Sequence, residues 1–367
     1  MTDLSNKRLV VACGGTGGHL FPGIAVAEEW TKRGGEVLLF ISEKQIDALA
    51  TEGYDHLRFE KMDSIAMPGI LSAKMLGFLV KFIKSLGQCR RLLKSFGADA
   101  VLGMGGFTST APLIAGKMAG LPTFIHESNS IPGRANKLNA KFARTVLIGF
   151  ERCASHFEGS NTEVVGTPLR PSVASKPSRE SSEKYFGLES GKKTIMVMGG
   201  SQGARRVNEL VAAALPRIAG SDVQVLHISG PIDYETVKPA YEANPTAGVL
   251  RDFCSEIQYA YGAADLAICR SGASTLTELA HYGVPSILIP YPFSADDHQV
   301  TNAEIFSVPG AAELWTQDGL TEEEFADRLL GLIHDSEKLA AMGGKMAALA
   351  IPDASGRVCD VVAGSIV

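Results

Sequence analysis

The 367-residue chain holds 45% hydrophobic and 20% charged residues, 39 glycines and a formal net charge of −5. That length predicts two domains of ordinary size. The apolar fraction excludes a disordered chain, and the acidic balance excludes a dedicated nucleic-acid binder. The charge is uneven, with 19 basic against 15 acidic residues in 1–167 and 16 against 25 beyond. The first part is therefore the better candidate for meeting an anionic surface. None of the six cysteines forms a Cys-x-x-Cys pair, which removes zinc ribbons and thioredoxin-like motifs. Met1 to Arg8 is polar and no apolar stretch approaches ~18 residues, so neither a signal peptide nor a transmembrane helix is expected. The simplest compartment is the reducing cytosol.

Short apolar runs alternate with amphipathic stretches along the first half. Leu9 to Ala12 and Val37 to Ile41 read as buried strands, separated by a glycine turn and a helix from Pro22 to Lys32. Ala100 to Leu102, Thr123 to His126 and Thr145 to Ile148 read as later strands, with a helix at Pro112 to Ala119. Residues 168–193 are rich in Pro, Ser, Lys and Glu and read as a linker. The pattern then restarts with a strand at Thr194 to Met198, a glycine turn and a helix from Arg205 to Leu215. Val223 to Ile228, Leu266 to Cys269 and Ser286 to Ile289 continue it. The fold class is α/β: two Rossmann-like, doubly wound parallel-sheet domains facing a cleft, which is the default active site. The boundaries expected are 1–167, 168–345, and a C-terminal helix in 346–367 packing back on the first domain.

The glycine turns carry the first chemical signal. Cys13-Gly14-Gly15-Thr16-Gly17-Gly18-His19 sits at a strand end and opens a helix. Glycines admit positive φ and close approach of a ligand, and a helix N-terminus offers free N–H groups to an anion. The turn reads as a phosphate cradle or as a tight strand–helix connection. It is neither a dinucleotide fingerprint nor a Walker A loop, since Leu20 stands where Gly-x-Gly-x-x-Gly needs its last glycine and no Gly-Lys pair is followed by Ser or Thr. Gly103-Met104-Gly105-Gly106-Phe107 and Gly199-Gly200-Ser201-Gln202-Gly203 repeat the arrangement. Three such turns at strand ends point to a polyphosphate ligand or a tightly apposed cleft.

In the second half, Arg270, Ser271 and Gly272 precede a helix that begins near Ser274. Backbone amides of Ser271 and Gly272 would face a diphosphate, and Glu278, one turn into the helix, could accept from two vicinal ribose hydroxyls. Alternatively, Ser274 and Thr277 cap the helix and Glu278 complements its dipole. Asp296, Asp297, His298 and Gln299 suit sugar hydroxyls, although Asp296 or Asp297 also suits an N-cap. No metal site is expected, because nothing completes a shell around Asp296, Asp297 and His298.

Together these segments resemble the MurG family of UDP-N-acetylglucosamine–N-acetylmuramyl-(pentapeptide) pyrophosphoryl-undecaprenol N-acetylglucosamine transferases. The resemblance rests on Gly14 to His19 with Phe21-Pro22-Gly23, Leu102 to Gly106, His126-Glu127-Ser128-Asn129 and Val164 to Arg170. It continues in Gly199 to Arg205, Cys269 to Ala273, and Asp297-His298-Gln299 with Asn302. It implies a GT-B fold and inverting transfer of GlcNAc from UDP-GlcNAc to lipid I, giving lipid II in peptidoglycan synthesis. By that resemblance Thr16, Gly17 and Gly18 form a turn near the donor sugar and acceptor diphosphate. Asn129 contacts the sugar, and Arg170 and Ser201 hold the nucleotide. Ser271, Gly272, Ala273, Ser274, Thr275, Leu276, Thr277 and Glu278 cover the diphosphate and ribose, with Glu278 on the ribose, and Gln299 holds the GlcNAc hydroxyls. Ser128 and Thr167 depart from the family pattern of Gln and Asn. Cys254 takes the position of an aliphatic residue near the uracil.

An inverting transfer needs a base for the acceptor hydroxyl, in-line alignment and a stabilised leaving group. His19, beside the glycine turn, suits the base, since an unperturbed imidazole titrates near ~6.5; it could equally position the turn or bind phosphate. His126 and Glu127 are the other catalytic candidates. Helix N-termini meet the leaving-group charge, so no cofactor and no obligatory metal is expected.

Residues 64–98 contain Lys74, Lys81, Lys84, Arg90, Arg91 and Lys94 and no acid, with Met75, Leu76, Leu79, Phe82, Ile83 and Leu86 at helical spacing. This fits an interfacial helix on anionic lipid, or an amphipathic helix packed on its own domain. Peripheral attachment at the cytoplasmic face of the inner membrane is the expectation, and the resemblance implies cell-wall synthesis and division proteins as partners. Three other readings stay open: a UDP-GlcNAc 2-epimerase, a non-catalytic nucleotide-sugar sensor with no need of His19, and a GT-B enzyme with another acceptor.

Overall fold

The computed structural model describes residues 2–42, 53–62, 75–200 and 203–366, apart from the side chains of Leu76 and Ala295. Ser201 and residues 64–74 of the basic–apolar stretch lie outside the described residues. The chain divides into two units, Met1–Pro171 with Ile351–Val367, and Ser172–Ala350.

In unit 1, seven parallel strands are described: β1 (Arg8–Ala12), β2 (Glu36–Ser42), β3 (Arg58–Met62), β4 (Ala100–Gly103), β5 (Thr123–Glu127), β6 (Thr145–Ile148) and β7 (Thr162–Val164). They lie in the order β3-β2-β1-β4-β5-β6-β7. Period-two alternation feeds two apolar layers. Leu9 and Val11 of β1 join Leu39, Ile41, Ile24 and Trp30 on one face. Val10 and Ala12 join Leu38, Phe40, Cys89 and Leu113 on the other. The helix Ala354–Ala363 belongs to this unit and adds Val358, Cys359 and Val362 to the first layer. The buried Arg33 guanidinium pins it through Asp360 at 2.6 Å while also holding Glu29 at 2.6 Å.

Unit 2 repeats the design with β8 (Lys193–Met198), β9 (Val223–Ile228), β10 (Gly248–Arg251), β11 (Leu266–Cys269), β12 (Ser286–Leu288) and β13 (Ala312–Leu314). Their order is β10-β9-β8-β11-β12-β13, all parallel. In each sheet the chain winds outward in opposite directions from a central pair, β1/β4 in one and β8/β11 in the other. Ligands of open α/β sheets bind beyond the strand C-termini at that switch point.

Two readings of the chain need correction. The first helix runs Gly17–Lys32 and contains Pro22, rather than starting there. Residues 168–193 are not a plain linker, for they contain helices Pro171–Ala174 and Arg179–Phe186. The Ser178 side chain caps the second, and Gly187 ends it in the left-handed region.

Candidate active site

At the unit 1 switch point, two glycine turns are sewn together. Met104 N donates to Ala12 O at 2.8 Å, Thr108 Oγ1 to Gly14 O at 2.7 Å, and Ser109 Oγ to Ala12 O at 3.0 Å. The helix Gly17–Lys32 starts directly from the first turn, with Thr16 at its N-cap. The Thr16 hydroxyl makes no capping bond. It lies 3.2 Å from His19 Nδ1 instead. The N–H groups of Gly17 and Gly18 open the helix, where an anion is favoured. The His19 ring reaches across to the second turn and lies against Gly105 and Gly106. Thr16, Gly17, Gly18 and His19 thus stand together at the end of β1.

His126 and Glu127 end β5 and are buried. His126 Nε2 donates to Gly166 O at 2.8 Å, and burial pushes the imidazole below its ordinary pKa. Glu127 is surrounded by donors. Its Oε1 accepts from Asn129 N at 3.0 Å and Asn129 Nδ2 at 3.1 Å, and its Oε2 from Gly133 N at 3.1 Å and Asn136 Nδ2 at 3.0 Å. Asn136 was not singled out by sequence. Arg170 lays its guanidinium over the Phe21 ring at 4.1 Å, so both members of that pair belong to matched motifs. The Arg170 Nε is buried without a hydrogen-bond partner.

In unit 2 the helix Ala273–Tyr282 follows β11 through Gly272, and no side chain caps it. Ser271 is buried and its hydroxyl donates to Gln299 O at 2.7 Å, while Asn302 Nδ2 donates to Ser271 O at 3.2 Å. The Ser271 side chain is thereby committed to the scaffold, and only its backbone faces the turn. Ala273 and Leu276 also point into the core, Thr277 Oγ1 bonds Ala273 O, and Ser274, Thr275 and Glu278 are half-exposed. Glu278 Oε2 accepts from the buried Tyr261 hydroxyl at 2.6 Å. Tyr261 carries no sequence signal, because it reads as one more apolar position of the helix Ile257–Ala263.

Gln299 stands in the first turn of the helix His298–Ser307, and its Oε1 accepts from Tyr291 N at 2.9 Å. That bond orients the amide. Asp297 occupies the N-cap position at φ 52° without a side-chain capping bond, so neither it nor Asp296 caps the helix as the composition suggested. Cys254 is half-exposed, whereas the other five cysteines are buried. Among the described residues no group of three or more His, Cys, Asp or Glu side chains is placed to hold a metal.

The glycosyltransferase family 28 N-terminal domain matches residues 9–148, and the family 28 C-terminal domain matches residues 194–358. The chain belongs to glycosyltransferase family 28. Two relatives are each named UDP-N-acetylglucosamine–N-acetylmuramyl-(pentapeptide) pyrophosphoryl-undecaprenol N-acetylglucosamine transferase. The one from Shewanella amazonensis is 36% identical over 98% of both chains. The one from Geobacter sulfurreducens is 38% identical, again over 98% of both. The crystal structure of Acinetobacter baumannii MurG is similar at a TM-score of 0.77 and 26% identity, covering 98% of this chain and 99% of that one. The two-sheet architecture of this family 28 chain is the GT-B fold, and each sequence-derived motif that is described lies at a strand end or on the helix that follows it.

Proposed function

We propose that the chain transfers GlcNAc from UDP-GlcNAc to the MurNAc 4-hydroxyl of lipid I, with inversion, giving lipid II. The observation that carries this reading is near-complete coverage by relatives named for that transfer, joined to a polar switch point in each sheet. Unit 1 is the acceptor half and unit 2 the UDP-GlcNAc half.

His19 is the base. With Thr16 accepting from Nδ1–H, Nε2, the ring nitrogen that lies against Gly105, is the atom that takes the acceptor proton. As the acceptor oxygen bonds to C1 of GlcNAc from the face opposite the diphosphate, His19 takes its proton and the C1–O bond to UDP breaks. The leaving charge is met by N–H groups at the start of the helix Ala273–Tyr282. Glu278 holds the ribose, Gln299 the GlcNAc hydroxyls, Arg170 the nucleotide, and the Cys254 backbone the uracil. His126 and Glu127 are positioning residues in this reading. The His126 imidazole is fully buried, with Nε2 donating to Gly166 O and Nδ1 facing the Ser128 hydroxyl at 3.5 Å. The buried Glu127 carboxylate accepts from four N–H donors, so neither presents a base to an acceptor hydroxyl and both shape the strand end that carries Asn129.

The helix Met75–Phe96 attaches the enzyme to the membrane. It buries Cys89, Leu93 and Phe96 toward its C-terminal end. Toward its N-terminal end Leu79, Val80 and Ile83 are 46%, 49% and 67% exposed among the exposed Lys81 and Lys84. Apolar side chains facing water between lysines fit an anionic bilayer surface. Among the described residues no helix is long and apolar enough to cross a membrane.

An acceptor panel tests this function. Labelled UDP-GlcNAc is offered with a short-chain lipid I analogue, a diacylglycerol or a small aglycone. Label should appear only on the lipid I analogue. Transfer to another acceptor, or epimerised sugar without transfer, would replace this reading.

A further inference from the structure

His227 lies on the face of β9 that also carries Val223 and Val225, in an apolar layer packed against the helix Arg205–Ile218. It is fully buried, so both ring nitrogens need partners. Nε2 stands 3.0 Å from Asn208 Oδ1, and Nδ1 stands 3.1 Å from the Tyr241 hydroxyl. The Asn208 amide sets the direction of the chain. Its Nδ2 donates to Ser229 O at 2.9 Å and to Asp233 Oδ2 at 3.0 Å. Its Oδ1 therefore accepts, His227 carries its proton on Nε2, and Nδ1 accepts from Tyr241.

The far end of this chain meets the second-unit glycine turn. A Cβ on Gly203 would run into Ser229 O, and Gly203 holds φ +84°. Gly203 N closes the turn onto Gly200 O at 3.0 Å. The next residue, Ala204, accepts from Asn208 N at 2.9 Å, so the same asparagine ties the first turn of the helix by backbone and by side chain.

We propose that His227 is a positioning residue for the donor nucleotide. Through Asn208 it holds Ser229 against Gly203 and fixes the start of the helix Arg205–Ile218, which opens from the glycine turn that the resemblance assigns to the nucleotide. This rests on the reading of unit 2 as the UDP-binding half.

The test is calorimetric titration of UDP into the full chain and into His227→Leu, His227→Gln and Asn208→Asp, each at a temperature where circular dichroism shows it folded. Leucine fills the space without either bond, glutamine restores a donor toward Asn208, and aspartate removes both donors toward Ser229 and Asp233. UDP should bind about tenfold more weakly to His227→Leu and Asn208→Asp, and within about threefold of the original to His227→Gln. The KM for the lipid acceptor should not move. Unchanged affinity in His227→Leu, or equal losses in the leucine and glutamine variants, overturns the proposal. An unsubstituted chain that does not bind UDP overturns instead the reading of unit 2 and, with it, this inference.

Discussion

The imidazole of His19 occupies the space that a side chain on Gly105 would fill: a Cβ there would stand 2.7 Å from Nε2 and 2.8 Å from Cδ2. Gly105 also holds φ +118°, where an L side chain is strained. The second turn is thus shaped to receive the histidine of the first. Gly105→Ala should lower kcat by about a hundredfold or more, in the range of His19→Ala, although it removes no functional group. UDP affinity, to which neither His19 nor Gly105 contributes, should stay as it was. Steady-state kinetics with calorimetric UDP binding checks both, and a fully active Gly105→Ala enzyme would remove His19 from the reaction.

The Tyr261–Glu278 bond gives a second prediction. A phenol donating to a carboxylate orients it and stabilises its charge. Tyr261→Phe should raise the KM for UDP-GlcNAc about tenfold with little change in kcat. Glu278→Ala should raise it further, and the pair together should cost no more than Glu278→Ala alone. Additive losses would show that the phenol acts independently of the carboxylate.

Glu127 and Asn129 should also behave as one device. Glu127→Gln replaces an acceptor oxygen with a donor facing N–H groups, which costs on the order of 1–3 kcal/mol of local stability. It should reduce transfer as much as Asn129→Ala does, and the double variant should be no worse than either. If Glu127 were the base, its substitution would instead be far more damaging than that of Asn129, and the rate at high pH would not recover.

The buried histidines set the acid limit of stability. Burial lowers His126, half-burial lowers His281, and burial pushes His227 down to about 3. Below about pH 6.5 the unfolded chain takes up these protons and the folded chain does not, so stability falls as pH drops, by up to about 1.4 kcal/mol per pH unit for each of the fully buried His126 and His227 and by less for the solvent-screened His281. For His227 the loss continues down to about pH 3. His334 has the opposite sign, because its bond to Asp222 raises its pKa and any gain is lost as pH rises through that value. Denaturant melts between pH 4 and 7 should show a shallower acid slope in His227→Gln; an unchanged slope would mean that His227 is protonated in the folded state.

Membrane attachment should separate from chemistry. Lys81→Gln with Lys84→Gln should weaken binding to vesicles rich in anionic lipid by about 1 kcal/mol per lysine, and Ile83→Asp should weaken it further. Activity on a water-soluble acceptor analogue should be retained. Undiminished vesicle binding would place the contact elsewhere.

Among the described residues, the nine inner strands of the two sheets were legible as apolar runs. The four that were not, β3, β7, β10 and β13, are the outer strands of the two sheets. Half of an edge strand faces solvent, so Arg58–Met62 or Gly248–Arg251 shows no continuous apolar signal. Pro22 read as a helix start because proline favours the first turn, yet the glycines before it already turn helical. The site motifs were legible because glycine turns and polar residues interrupt apolar strands. Their supports were not. Tyr261 and His227 act from a helix and a strand whose pattern is hydrophobic, and Asn136 from a short polar helix with no motif of its own; only the fold brings them to Glu278, Asn208 and Glu127.

The most direct test of the transfer is the linkage in the product. UDP-GlcNAc and a short-chain lipid I analogue are incubated with the enzyme, with and without EDTA, and the disaccharide is examined by NMR. The account predicts a β-linked GlcNAc on the MurNAc 4-oxygen, formed equally in EDTA. An α-linked product, or UDP released with no disaccharide, would contradict it.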